Sequence, residues 1–303
     1  MRSSNISKPR ISVCIGAYNR ESYIRECIDS VLAQTRVPDE IVVVDDASTD
    51  KTLDILKSYG NQIRLICREK NSGMCQITRN QATKAATGDL IAYLDSDDAW
   101  LPNKLAAQEC FFNEHPELNF CHTYAEVMDD KSRGIHIRHH GIIPPTGDCF
   151  RAMINQCVIT ISSVMVRRRI FDQIGYFNED PFWRIGEDTE FFYRVTLTQP
   201  VGFIDQVLTR YRKSEAGITH ASWNYTPRVL PIHEWLLSHP ERWQSKVARE
   251  DIIKIIIEDC AENAQYWQER GHKKYTRHHI AKWIKYAPFD YLAWKTLVKE
   301  LVR

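Results

Sequence analysis

The sequence predicts an α/β fold: a Rossmann-like, mostly parallel sheet with helices on both faces, followed by a helical C-terminal extension. Three observations predict it. Runs rich in β-branched residues alternate with segments of helical apolar spacing four times in about the first 110 residues. The connections are short, and the runs are apolar throughout, as strands buried on both faces are. Polar residues collect where the runs end, which is where open α/β sheets bind ligands.

ISVCIGAY (11–18) reads as the first strand, ending in a loop at Asn19. Ser22–Gln34 follows with Ile24, Cys27, Ile28, Val31 and Leu32 on one helical face. EIVVVDD is the second strand, and Ser48 or Thr49 is placed to cap the helix Thr52–Tyr59. IRLIC is the third, and Met74–Ala86 a helix with Gly88 at its C-terminal cap. DLIAYLD is the fourth, and Pro102 opens a helix over Asn103–Asn113.

From about 118 to 215 the pattern is mixed. Leu118–Val127, Ile159–Val166 and Gly202–Arg212 read as strands, Gly134–Thr146 as a mobile loop. RRRIFDQIGYF gives a short helix ending at Gly175, and Glu187–Thr198 a longer one. Beyond about Trp223 the chain reads as helical. The expected organisation is a domain over 1–220, with halves at about 10–113 and 114–220, and an extension over 221–303.

Composition bounds the function. The 303 residues are 43% hydrophobic and 26% charged, enough for a sizeable core. The net charge of +1 implies no global electrostatic partner, and nothing resembles a nucleic-acid module. Nine cysteines lack zinc-clip spacing, and several lie in apolar runs. Buried thiols indicate a reducing compartment, so a cytoplasmic location is expected. No apolar run follows the basic start as in a secretory signal, and none approaches the ~20 residues of a span. There is no Gly-rich phosphate loop. Cys14 and Cys75 lack an evident base, which disfavours a cysteine nucleophile.

Five pieces in order carry a resemblance: ISVCIGAYNR with IRECIDSVLAQT, EIVVVDDASTDKT, NSGMCQITRNQA, ATGDLIAYLDSDDAW and GEDTEFFYR. Together they span roughly 10–215. The chain resembles the family 2 glycosyltransferases with the GT-A nucleotide-diphospho-sugar transferase fold, of the kind that builds bacterial surface polysaccharide such as O-antigen or capsule.

The resemblance implies roles by position. Ala17 and Tyr18 would line the donor. Asp46 would accept the ring N–H of a uracil, although Asp45 and Asp46 would equally suit a capped turn. Arg79 would lie near the nucleotide, where a planar cation suits phosphate; a helix-surface arginine is the other reading. Asp95-Ser96-Asp97 is an acid-X-acid motif. A carboxylate beside a diphosphate is repulsive without a cation, and Mg²⁺ or Mn²⁺ takes a few carboxylates plus substrate phosphates. Asp97 is the expected metal ligand. Asp95 would assist at the metal or reach the ribose, Ser96 would contact the donor, and Asp98 would cap the next helix or orient its neighbours. Without the resemblance, an acidic strand-to-helix turn would do.

Asp188 is the expected catalytic base, with Glu187 supporting it or binding acceptor. An inverting transfer needs one carboxylate to take the acceptor hydroxyl proton, yet both acids also suit a helix N-terminus. YRKSEAGITH departs from the family's YRxH pattern, with Ser214 where a histidine would stand. That leaves open whether His220 meets the metal or Arg212 or Lys213 clamps the diphosphate.

The expected reaction is metal-dependent transfer from a nucleotide-sugar, a UDP-sugar by resemblance, to a saccharide acceptor on a lipid diphosphate, with a β-linked product. A non-catalytic saccharide- or nucleotide-binding module is the first alternative and a sugar nucleotidyltransferase the second. The latter lacks its basic phosphate loop, having GAYNR near the first strand.

The tail carries nine Lys or Arg from Arg270 onward against Asp290 and Glu300, interleaved with Tyr275, Trp283, Tyr286, Tyr291 and Trp294. Such a mix suits an anionic membrane surface, giving peripheral contact through 270–303, or helices packed with a solvated basic face. Before it, Ile253, Ile256, Ile257, Cys260, Ala264 and Trp267 share one helical face.

Overall fold

The four apolar runs become four neighbouring parallel strands: β1 (Ile11–Ala17), β2 (Glu40–Asp45), β3 (Arg64–Cys67) and β4 (Leu90–Tyr93), in the order β3-β2-β1-β4. The computed structural model describes residues 8–139, 141–184, 186–213 and 229–302. Two units divide the chain, Met1–Cys149 with Val158–Glu215, and Phe150–Cys157 with Ala216–Arg303.

In the first unit the sheet continues through β5 (Ala99–Trp100), β6 (Phe120–Met128), β7 (Gly134–Ile137), β8 (Met165–Arg167) and β9 (Gly202–Arg212). Strand β8 runs antiparallel to β4 and β6, β9 runs parallel to β6, and β5 closes the edge antiparallel to β9. The sheet is therefore mixed beyond β4. Strand β7 lies where a mobile loop was expected; it forms an antiparallel pair with β6. Its exposed side chains leave no apolar alternation to read. Strand β3 was expected to be buried, but its edge position leaves Arg64 and Cys67 exposed.

Helices α1 (Ile24–Leu32) and α2 (Thr52–Ser58) cover one face. Ile11, Val13, Ile15 and Ala17 of β1 meet Ile24, Cys27, Ile28 and Val31 of α1 there, with Leu56 of α2. Each fully buried aliphatic is worth about 1.5–3 kcal/mol. Strand alternation sends the intervening residues to the other face, with α3 (Cys75–Ala85) and α7 (Glu187–Thr198). There Tyr93 hydroxyl meets Thr83 Oγ1 at 3.0 Å, and Phe120 packs edge-on against Phe192 of α7. A Cβ on Gly16 would lie 2.2 Å from Thr78 Oγ1, so α3 rests directly on the β1 backbone. Helices α4 (Lys104–Glu114) and α6 (Ile170–Ile174) complete the unit, and α6 ends at Gly175 with φ 71°.

Two expected caps fail. Ser48 and Thr49 bond to Asn19, and the start of α2 is met by Asp50, which accepts from Thr52 N at 2.9 Å. Gly88 follows Ala86, the actual cap of α3. Glycine is needed there because a Cβ would lie 2.7 Å from Ser12 N.

The second unit holds α5 (Phe150–Asn155), α8 (Val229–Ser238), α9 (Arg249–Glu269), α10 (Lys273–Tyr286) and α11 (Tyr291–Val302). In α9 the buried face runs through Ile252, Ile255, Ile256, Cys260, Ala264 and Trp267. It is rotated from the expected stripe, leaving Ile253 and Ile257 half-buried. His233 meets Asp259 at 2.7 Å, and Lys282 meets Glu234 at 2.6 Å. Among the described residues no helix is long and apolar enough to cross a membrane.

Candidate active site at the strand ends

The carboxyl ends of β1 and β2 are laced together. Asp46 N donates to Ala17 O at 2.8 Å, Asn19 N to Ser48 Oγ at 3.0 Å and Thr49 N to Asn19 Oδ1 at 2.8 Å. Asn19 and Ala47 both take left-handed backbone, at φ 50° and 60°. Such non-glycine geometry needs support from its surroundings, and the cross-loop bonds supply it. Ala17 is buried, while Tyr18 is 41% exposed at the rim.

The aspartate pair at the end of β2 is asymmetric. Asp46 accepts from Ser72 N at 3.1 and 3.0 Å and from Ser72 Oγ at 2.7 Å, and Arg68 Nε lies 2.8 Å from Oδ1. Its acceptor capacity is taken up by the 68–72 segment. Asp45 accepts only from Ser48 N at 3.1 Å through Oδ2, and its Oδ1 is buried without a partner.

Arg79 is the centre of the site. It is buried on α3, with Nη2 2.9 Å from Asp95 Oδ1, Nη1 3.2 Å from Glu187 Oε1, and its guanidinium 5.0 Å over the Phe177 ring. This is no helix-surface arginine. Burial alone would push its proton off; the Asp95 carboxylate leads the groups that hold it charged. One side chain thus joins the ends of β4 and the start of α7.

The acidic turn after β4 is sorted by its contacts. Asp95 keeps a half-exposed carboxylate, and its N–H donates to Ser162 Oγ at 3.0 Å. Ser96 is buried. Asp97 faces Arg20 Nε at 3.3 Å. Burial pushes the Asp97 carboxyl up, Arg20 opposes, and Asp95 adds to the rise. Asp98 is fully engaged, accepting from Ser162 Oγ at 2.6 Å and from Arg212 N at 2.8 Å. Burial first, then Asp97 and Asp95, pushes its carboxyl well up. Asp98 binds the turn to β9.

At the start of α7, Glu187 is buried and accepts from Arg79 and from Cys75 Sγ at 3.0 Å. Burial and the neighbouring Asp188 push its carboxyl up, against Arg79. Asp188 is half-buried and accepts from Thr189 N at 2.7 Å through Oδ1 alone. Its Oδ2 accepts no hydrogen bond among the described residues.

Arg212 clamps protein. It donates to Asp97 O at 2.7 Å and Asp129 O at 2.8 Å, pairs with Glu26 and lies over the Tyr23 ring. A diphosphate clamp from Arg212 is therefore set aside, because its donors are spent. Lys213 is exposed. His220 and Ser214 lie outside the described residues. Sequence reasoning passed over Arg20 and Ser162. Arg20 stands in GAYNR, and a cation at a strand's carboxyl end was its signal. Ser162 had none, since its partners are 64 and 67 residues away.

The donor set suits a divalent cation in part. Among the described residues no three His, Cys, Asp or Glu cluster as a complete protein cage. Two neighbouring carboxylates, Asp95 and Asp97, fit an ion that takes its remaining oxygens from a diphosphate and water. The like-charge push on Asp97 is what such an ion would relieve.

The family match in the comparison with known proteins covers β1 to β4 and the acidic turn and ends before Glu187 and Asp188. The model of Glycosyl transferase family 2 matches residues 12–175. An uncharacterized glycosyltransferase of Rickettsia felis is 31% identical over 233 residues, covering 76% of this chain and 38% of its own length. This chain therefore spans well under half of that relative. The putative teichuronic acid biosynthesis glycosyltransferase TuaG of Bacillus subtilis is 42% identical over 110 residues, 35% of this chain and 43% of TuaG. The crystal structure of S. aureus TarS 1-349 in complex with UDP-GlcNAc aligns with TM-score 0.66 at 23% identity, over 91% of this chain and 79% of TarS 1-349. At that identity the likeness is one of fold.

Proposed function

Because this chain belongs to glycosyl transferase family 2, we propose that it is an inverting, metal-dependent glycosyltransferase. The donor is a nucleotide-sugar. TarS was solved with UDP-GlcNAc and with UDP, which makes a UDP-sugar the first donor to test. The observation that carries the reading is Arg79, joining the acidic turn to the helix start that bears Asp188.

Asp188 takes the proton from an acceptor hydroxyl. The hydroxyl oxygen bonds to the anomeric carbon as the bond to the diphosphate breaks, and the bonding pair stays on the diphosphate. Attack from the far side inverts the centre, so an α-linked donor gives a β product. Arg79 holds Asp95 and Glu187 in place, so that the acidic turn and the start of α7 keep their positions around the reacting groups. Asp97, with Asp95, would hold Mn²⁺ or Mg²⁺, whose Lewis acidity stabilises the diphosphate. Ala17, Tyr18 and Ser96 line the donor, and Glu187 sets the position of Arg79. For the base, Asp45 competes with Asp46, since Asp45 Oδ1 is the buried acceptor without a partner.

The acceptor is a saccharide, lipid-linked in surface-polysaccharide assembly; the name of TuaG, a putative teichuronic acid biosynthesis glycosyltransferase, supports polysaccharide chemistry. Peripheral membrane contact is supported by Phe289, Tyr291, Trp294, Val298 and Leu301, all exposed beside Lys295 and Lys299.

Donor hydrolysis or transfer with Mn²⁺ tests the reading. Activity should vanish with EDTA, and Asp188→Asn should lose at least 100-fold in rate while retaining UDP binding. Wild type that binds donor but turns over with no acceptor would instead favour a binding module.

A further inference from the structure

Beside β6 lies a concavity whose lining includes His122, Tyr124, Arg138, His139, Thr160 and Phe203. We propose that it binds an oxyanion, phosphate or carboxylate, borne by the sugar acceptor. Only the word acceptor rests on the glycosyl-transfer reading; the anion site stands on its own geometry.

Arg138 carries the argument. It follows β7, lies 3.8 Å over the Tyr211 ring, and donates through Nε to His139 Nε2 at 3.0 Å. Its Nη1 is buried with no acceptor. No Asp or Glu lines the concavity, and Arg138 has no ion pair among the described residues. Nearby arginines differ: Arg79, Arg210 and Arg212 each face a carboxylate. Arg138 is half-buried, and its Nη1, shut from water without an acceptor, is a donor that a partner bringing an oxyanion would satisfy. A planar cation with a free terminal N–H suits a phosphate or carboxylate edge.

His139 adds a second donor. It holds left-handed backbone at φ 56°, strained for histidine. Burial, then Arg138, pushes its ring down to about 4, so it is neutral. With Nε2 accepting from Arg138, the proton sits on Nδ1, a donor. The hydroxyls of Thr123, Tyr124 and Thr160 are neighbours.

Placement ties the concavity to the reaction. Cys121 belongs to the core on the α1 side, so His122 points to the face of Arg79, Glu187 and Asp188. Thr160 stands two residues before Ser162, which holds Asp95 and Asp98. Tyr211 precedes Arg212, which holds Asp97 O.

The test titrates glycerol 3-phosphate and glucuronate, with glycerol and glucose as neutral counterparts, by calorimetry. Saturating UDP and Mg²⁺ are present, so that the donor site is filled. Wild type should bind at least one anion and neither neutral compound. Arg138→Gln should weaken that binding at least tenfold and Arg138→Lys less, both still binding UDP. A phosphate-only response assigns a phosphorylated acceptor, and a glucuronate-only response an acidic sugar. Wild type that binds neither anion, neutral compounds that bind as well, or Arg138→Gln binding like wild type would overturn the proposal. Failure of wild type to bind UDP would instead count against the transferase reading, and the anion titration repeated without UDP would still be read.

Discussion

Arg79 Nη2 stands 2.9 Å from Asp95 Oδ1, and the same guanidinium reaches Glu187 with its other terminal nitrogen. Removing the cation leaves buried Glu187 facing Asp188 with no compensation. Arg79→Ala should cost on the order of 3–5 kcal/mol of stability, the range for breaking a buried pair from one side. Arg79→Lys cannot span both acids and should fall between. Chemical denaturation measures this; an alanine variant as stable as wild type would refute the central role.

The acidic turn should separate by position. Asp98→Ala removes the acceptor for Ser162 Oγ and Arg212 N and should lower Tm by several degrees. Asp97→Ala breaks one partly exposed pair with Arg20 and should leave Tm nearly unchanged while abolishing turnover. Thermal melts with a donor-turnover assay distinguish the two, and the reverse pattern would reassign the metal ligand.

Lys104 is buried with its ammonium 2.6 Å from Gln108 Oε1 and 4.1 Å over Trp100, and burial pushes it down to about 7. The unfolded chain therefore binds an extra proton between about pH 7 and 10.5, and stability rises with pH across that window. The penalty is full below pH 7. Lys104→Met should gain about 2 kcal/mol at neutral pH after the lost contacts, and the gain should fade toward pH 10.5. Denaturation at several pH values reads both.

His122 gives the opposite end of the scale. Its Nε2 meets Pro145 O at 2.8 Å, and burial pushes the ring down to about 4. From pH 6.5 down to about 4 the unfolded chain takes up a proton that the native state refuses. Stability should fall by about 3 kcal/mol over that range, and His122→Gln should flatten the slope.

The strands β1, β2 and β4 could be read from sequence because burial on both faces leaves runs with no polar interruption. Helix α7 could be read because acids at 187, 188 and 190 begin an apolar period. Strand β5 could not, since its two residues pair with Arg210 and Thr209, more than 100 positions on. The site divides the same way. Asp95, Asp97 and Asp188 stand in local motifs, whereas the Arg20–Asp97 pair, the Ser162 bridge and the saturation of Asp46 by Ser72 exist only once distant loops meet.

Gly16 touches no candidate ligand group, yet Thr78 rests on it and Arg79 is the next residue. Any side chain at 16 would lift that helix turn from the sheet and carry the guanidinium with it. A scan of every substitution would find position 16 as intolerant as the acids themselves, for a reason of thickness alone.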